Sequence, residues 1–345
     1  LYSSELASGR VPDMMDCAGS VKLEGAIAQN LLMDLKPYID ENGLEAQVGA
    51  NYEQNQVDGK IYTVSIGLAS IGMWVNTDVL EATGATMPEE WTTWEAFADA
   101  METVRVNGEA MGYYSYGSGQ GSIRMFNAAL AATPAGAEML KGPLTADAIN
   151  SEEFVDAFRT VATLDQQNGS ANSSVNANDF AADFNNGLSA VFINGVWGAS
   201  QFAGSDNFVS CIYPNSVAIS SANTGLYVAN DLSDAQKELA LEFIKYMTSE
   251  EVQSRYFLET SSNPINENVD IQKLAQESGD PTALKLAEAC DKCNKADTIV
   301  LAIDVCWGND VGGALQNKFA ECAVAGTDIE AKLAELQAEL TALIG

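Results

Sequence analysis

The sequence of 345 residues contains no histidine. That absence removes Ser-His-Asp and Cys-His nucleophilic arrangements, and histidine metal sites with them. Positive charge is scarce as well: 17 Lys and Arg stand against 48 Asp and Glu, a formal net charge of −31. Nucleic acid and anionic membrane surfaces are attracted by basic patches, so both are excluded as partners. No stretch of about 18 consecutive apolar residues occurs, so nothing reads as a membrane span. Cysteine is sparse, with six residues, Cys17, Cys211, Cys290, Cys293, Cys306 and Cys322. Cys290-x-x-Cys293 is half of a zinc motif, but no second such pair follows it. A Cys290/Cys293/Cys306/Cys322 metal site, buried small hydrophobes, and one or two disulfides in an exported protein all stay open. No metal and no cofactor are expected.

What is present suits a large core. The apolar content is 47%, and the length suggests two domains. The chain turns on residues 184–197. Phe180 and Phe184 stand four apart at the end of a helix, with Gly187 placed for a left-handed cap. Residues 189–193 then read as a buried strand, small and apolar with a β-branched bias. Asn194-Gly195 turns the backbone, for which glycine at positive φ is the expected device. Trp197 is left at the carboxyl end of a strand, where open α/β sheets place ligands. Its indole offers a flat apolar face and one N–H donor, suited to a sugar ring or an aliphatic ligand, with core packing as the alternative.

Helices and strands alternate along the rest. Residues 21–36 read as one helix with Leu31, Leu32 and Leu35 inward, and Ile61–Val64 and Ile71–Val75 as strands. Thr92 to Glu95 form a capping box before Trp94, Phe97, Met101 and Val104, which repeat at helical spacing and make Trp94 a core residue. Met111–Tyr116 is a strand, and 117–122 a glycine-rich loop without a Walker lysine or a Gly-x-Gly-x-x-Gly pattern. Phe154, Phe158, Val161 and Leu164 share a helix face. Ser233 to Gln236 is a second capping box, before a helix expected to bury Leu239, Phe243, Ile244 and Met247. A third box is expected at Thr248–Glu251. Ile329, Leu333, Leu336, Leu340 and Leu343 form an apolar stripe behind Thr327 and Glu330.

Three segments together resemble the extracellular solute-binding proteins of ABC sugar importers, the family of maltose-binding protein. They are Asp58-Gly59-Lys60 through Thr93-Trp94-Glu95, the strand and Asn-Gly-x-Trp of 184–199, and Phe243-Ile244-Lys245-Tyr246-Met247-Thr248-Ser249-Glu250-Glu251-Val252-Gln253 before Asn263-Pro264. The chain departs from the pattern at Val196, where the family has proline. The resemblance implies a periplasmic-binding-protein-like α/β fold of type II, with two lobes joined by a multi-strand hinge. Lobe 1 is expected at 1–106 and 224–300, lobe 2 at 107–223 and 301–345, with crossings near 106, 223 and 297–304. Leu1–Arg10 read as a helix tail and Val11–Met15 as a strand. Family members carry a strand, a helix and a strand before this point, which places an N-terminal part, with any secretion signal or lipid-anchor cysteine, upstream of Leu1.

The implied activity is non-enzymatic capture of a mono- or oligosaccharide between the lobes, by hinge closure, and delivery to the permease subunits of an importer. Trp197 would be the main stacking platform and Trp307 a second. Asp16, Ser20, Ala69 and Ser70 of lobe 1 and Gln120, Ser122 and Arg124 of lobe 2 complete the candidate site. A monomer is expected, extracellular as a membrane-anchored lipoprotein or periplasmic. A receptor for a cationic or peptide ligand, a sensor receptor, and a two-carboxylate glycosidase are the alternatives.

Overall fold

Continuous apolar runs such as Ile71–Val75 and Ala190–Ile193 mark strands covered on both faces. The computed structural model describes residues 2–17, 23–108, 111–114, 116–168, 177–202, 204–222 and 225–345. Its strands are β1 Met14–Asp16, β2 Gln56–Val57, β3 Lys60–Ile61, β4 Leu68–Asn76, β5 Met111–Tyr114, β6 Ser189–Gly195, β7 Phe208–Cys211, β8 Val217–Ala222, β9 Leu226–Val228 and β10 Thr298–Val300. The chain divides into two compact units, residues 1–69 with 221–284 and residues 70–220 with 285–345. It passes between them at 69/70 inside β4, at 220/221 inside β8, and at 284/285 inside helix Pro281–Asn294. The sequence had placed these crossings near 106, 223 and 297–304. The first and the last differ: 106 lies well inside the second unit, and Ile299 does not link the units. Instead β10 pairs in parallel with β8 and extends the sheet of the second unit.

The first unit holds two small sheets. β1 and β9 pair antiparallel, with Met15 opposite Tyr227. β2 and β3 form a hairpin whose two loop residues, Asp58 and Gly59, take φ of 52° and 76°, the left-handed pair that matches strand twist in a two-residue turn. The expected helix over 21–36 is broken in two, Glu24–Ala28 and Lys36–Asn42. Asn30 at φ 56° ends the first, and Pro37, which lacks an N–H, sits in the opening turn of the second. Leu32 and Leu35 are still buried. Ser233 and Gln236 form the expected capping box, Gln236 Oε1 accepting from the Ser233 N–H at 3.2 Å. The helix that follows, Asp234–Met247, buries Ala240, Leu241 and Ile244, and leaves Leu239 and Phe243 exposed. Ile244 and Met247 of the expected stripe therefore face the core, while Leu239 and Phe243 do not and Ala240 and Leu241 take their place. At the next helix, Glu250–Thr260, Ser249 rather than Thr248 is the cap, accepting from the Val252 N–H.

The second unit is built on a six-stranded mixed sheet in the order β10-β8-β4-β6-β5, with β7 also on β4. β4 runs antiparallel to β6 and β7, so Trp74 lies opposite both Phe192 and Ser210. The other edge of β7 is covered by helix Pro281–Asn294, whose Lys285 and Lys292 donate to the carbonyls of Ser205, Phe208 and Ser210. Such capping blunts an otherwise open edge strand. Helix Trp94–Asn107 starts from Thr93, not Thr92: the Thr93 hydroxyl accepts from the Ala96 N–H. The glycine-rich segment 117–122 is not a loop but the first turns of helix Tyr116–Ala131. Glycine costs about 1 kcal/mol per residue there, and the buried face of Ile123, Met125, Phe126 and Leu130 outweighs it. The last helix, Ile329–Ile344, is capped by Asp328 and docks Leu333, Leu336 and Leu340 into the core, while Leu343 stays exposed. Lys318, 7% exposed, meets Glu335 of that helix at 3.1 Å.

Opposite faces of helix Asp234–Met247 should answer differently to truncation. Ile244→Ala is expected to cost about 2–5 kcal/mol of unfolding free energy, and Leu239→Ala to stay within about 0.5 kcal/mol of the parent. Urea denaturation of the two variants tests the assignment, and equal costs would reverse it.

Candidate functional site

The site grows out of β6, every residue of which is buried. The helix before it ends as expected, Gly187 taking φ 74° after Asn185. Immediately after the strand, Val196–Gly198 make a single tight turn in which Val196 and Gly198 are buried. Trp197 between them is 39% exposed. Glycine at 195 is not there for positive φ, since its φ is −78° and its ψ 173°. The reason is contact: a Cβ at 195 would stand 2.2 Å from carbons of the Trp197 ring. Gly198 answers the same need toward another indole, for a Cβ there would come within 2.5 Å of Trp74 Nε1. Trp74, 1% exposed, donates from Nε1 to the Gly195 carbonyl at 2.9 Å. Its own ring packs on Phe202 at 5.2 Å, and Phe202 meets Phe184, Phe192 and Phe208. Trp197 is thus a partly exposed aromatic surface whose ring closes over the Gly195 backbone.

The other candidates fare differently. Trp307 is no platform. It is 7% exposed, near-parallel to Phe154 at 6.3 Å, and donates from Nε1 to the Met139 carbonyl at 3.1 Å. The segment read as a strand up to Val305 is instead β10 followed by helix Ile303–Cys306, which turns this indole into the core. Arg124 is engaged by Asp304, both side chains being largely covered. Burial works to raise the Asp304 carboxyl, but the hydrogen bond and charge of Arg124 outweigh it and hold the group below the usual carboxylate range. Ser122 is buried. Ser70 is buried too, its hydroxyl 3.2 Å from that of Ser220. Ala69 is half-buried and Asp16 exposed at the end of β1. Ser20 and the side chain of Gln120 lie outside the described residues.

The six cysteines are all free thiols. Among the described residues no three His, Cys, Asp or Glu side chains come together as a metal site. Burial is the first cause of a raised thiol pKa at Cys17, which also feels Asp16 and reaches about 11. Cys211 and Cys293 are pushed up to about 12, again chiefly by burial. Such thiols stay protonated and unreactive near neutral pH.

Comparison with known proteins places this geometry. The family model for bacterial extracellular solute-binding proteins matches residues 2–282. A solved solute-binding protein of Streptococcus pneumoniae, in complex with the blood group A-trisaccharide, is 41% identical. Its alignment covers 99% of this chain and 87% of that one, at a TM-score of 0.92. The chain belongs to the bacterial extracellular solute-binding proteins. A chitin oligosaccharide binding protein shares the fold at 19% identity and a TM-score of 0.79, over 99% of this chain and 86% of that one. So does a Listeria monocytogenes ABC substrate-binding protein in complex with cycloalternan, at 19% identity and a TM-score of 0.73, over 100% of this chain and 88% of that one. No curated protein matches.

Within this solute-binding protein two supporting residues escaped the sequence. Trp74 looked like one more apolar strand residue, and Asp304 sat in a stretch read as strand. Two measurements bear on the site. Gly195→Ala should cost about 1–3 kcal/mol, as overpacking does, and alter the tryptophan emission; a silent substitution would mean that ring and backbone do not meet. The Asp304 carboxyl is depressed in the folded state, so its contribution is present above its unfolded pKa of about 3.9 and is lost as pH falls through the lower folded value. Asp304→Asn is expected to lower the melting temperature at neutral pH, and the two melting curves should converge toward strongly acid pH. A constant gap across that range would count against the pair.

Proposed function

We propose that the protein is a carbohydrate receptor that hands its ligand to an ABC importer, acting by binding and not by catalysis. The observation that carries this is Trp197, a partly exposed indole just past the carboxyl end of a buried strand, its ring set against the Gly195 backbone. The chain around it is 41% identical to a solute-binding protein solved with the blood group A-trisaccharide. A sugar ring presents an apolar C–H face, and stacking on an indole desolvates both surfaces without a hydrogen-bond penalty. An oligosaccharide is the ligand class this supports, and the trisaccharide is the first probe. Asp16, exposed in the first unit, is the candidate acceptor for sugar hydroxyls, a charged acceptor making the stronger bond. We further infer that the protein acts as a monomer, either lipid-anchored at the cell surface or periplasmic, with the importer's permease subunits as its partners. The −31 charge disfavours adhesion to anionic lipid and leaves protein contact as the route to the importer.

Titration calorimetry with the blood group A-trisaccharide should show saturable binding without turnover of the glycan. Trp197→Ala should weaken it by about 2–4 kcal/mol, roughly 30-fold to 1,000-fold. Binding with unchanged affinity in the variant would remove Trp197 from the site. Released reducing sugar would replace the receptor with an enzyme.

A further inference from the structure

The sequence holds five Asn-Gly pairs, beginning at Asn42, Asn107, Asn168, Asn186 and Asn194. Such a pair is chemically weak. The nitrogen of the second residue can attack the side-chain amide of the first, and glycine carries no Cβ to obstruct the approach. Folding decides which pairs are open to it. At Asn42, Asn107 and Asn186 the glycine N–H is held by a carbonyl of the helix it closes: Gly43 donates to Asp40, Gly108 to Val104 and Gly187 to Phe184. Gly169 lies outside the described residues.

At Asn194 the arrangement is reversed. The Gly195 N–H donates to Oδ1 of Asn194 itself, at 2.8 Å. A carbonyl bond is about 1.23 Å long, so the Asn194 Cγ lies within about 4 Å of that nitrogen, close to the separation from which reacting atoms close. The surroundings preserve the contact, since Asn194 is buried and sits opposite Gly72 in the ladder of β4 and β6. No larger residue can shield the pair, because the Trp197 ring excludes a Cβ at 195. Asn194 and Gly195 also line a recess of about 10 Å³. That is room for about one water, which suits the water that must enter and the ammonia that must leave.

We propose that Asn194-Gly195 is a site of spontaneous modification, at which the amide of Asn194 is lost and the chain is rebuilt as aspartate or isoaspartate. The Gly195 nitrogen gives up its proton and bonds to Asn194 Cγ. The Cγ–Nδ2 bond breaks, and the amide nitrogen leaves as ammonia. Water then opens the succinimide ring on one side or the other. Breaking the bond between Gly195 N and Cγ leaves aspartate; breaking the bond between Gly195 N and the main-chain carbonyl carbon leaves isoaspartate. Isoaspartate adds one carbon to the main chain directly before Gly195. The carbonyl of Gly195 accepts from Trp74 at 2.9 Å, and its backbone meets the Trp197 ring. The reaction therefore displaces, with age, the turn that carries Trp197. Its consequence for carbohydrate capture rests on the reading of Trp197 given above, whereas the chemistry at Asn194 does not.

Incubation of the folded protein at mildly alkaline pH tests this, with peptide mapping by mass spectrometry and isoaspartate read by enzymatic methylation. The Asn194 peptide should convert about tenfold faster than those of Asn42, Asn107 and Asn186. In urea-unfolded protein the four rates should converge, since the difference is one of geometry and not of sequence. Tryptophan emission of the parent should drift in step with conversion. In Asn194→Gln, whose longer side chain must form a six-membered ring, it should hold steady. An Asn194 that converts no faster than the other three in the folded parent, that keeps its lead in urea, or that converts without any change in emission overturns the proposal. Full conversion with shifted emission but unchanged affinity for the trisaccharide would uphold the modification and remove Trp197 from the ligand site.

Discussion

The hydrogen bond from the Trp74 indole to the Gly195 carbonyl is the constraint on which the candidate site rests. It reaches from the middle of β4 to the last residue of β6, two strands that already pair in antiparallel register. The ladder ends at Gly195, opposite Ile71. The indole therefore acts as one further rung where backbone pairing stops. Two glycines, at 195 and 198, let aromatic rings close on the turn from both Trp74 and Trp197. A buried cluster of Phe184, Phe192, Phe202 and Phe208 keeps Trp74 from moving. A half-exposed tryptophan is costly to leave in water and useless to a ligand if it wanders. Here the ring is set against a backbone that leaves no space for a Cβ at 195.

Charge follows a similar economy. With 17 basic residues against 48 acidic ones, cations are concentrated where backbone or helix needs them. Lys285 and Lys292 close the open edge of β7. Lys318 and Lys332 bridge Glu321 and Glu335, tying the last helix to the core. Arg124 and Asp304 join helix Tyr116–Ala131 to the short helix before Trp307. The acids left over cover exposed helix faces, where mutual repulsion favours solubility and discourages anionic partners.

Much of the secondary structure was legible, and the misses share a cause. Strands β4 and β6 and the helix face of Phe154, Phe158, Val161 and Leu164 were read correctly, because a continuous apolar run and a 3.6-residue repeat are strong local signals. Helix starts slipped by one residue at Thr93 and Ser249, since two adjacent hydroxyl residues are equivalent until the chain's entry angle is known. Leu239 and Phe243 were read as core beside Ile244, although Ala240 and Leu241 are its buried companions, a choice between adjoining faces that only a packed neighbour makes. Gly117 to Ser122 looked like a loop by propensity and became helix by tertiary packing.

The candidate site divides along the same line. Sequence by itself determined the absence of histidine chemistry, the acid surface, and a tryptophan following a buried strand and an Asn-Gly pair, because composition and short-range order are properties of the chain alone. It ranked Trp197 ahead of Trp307 only through the family resemblance, since both follow apolar segments. Tertiary structure decided that, exposing one at 39% and sealing the other at 7% against Phe154. The physical reason is that burial depends on what arrives from far along the chain, as Met139 does for Trp307 and Trp74 for the turn beneath Trp197. No local pattern carries that information.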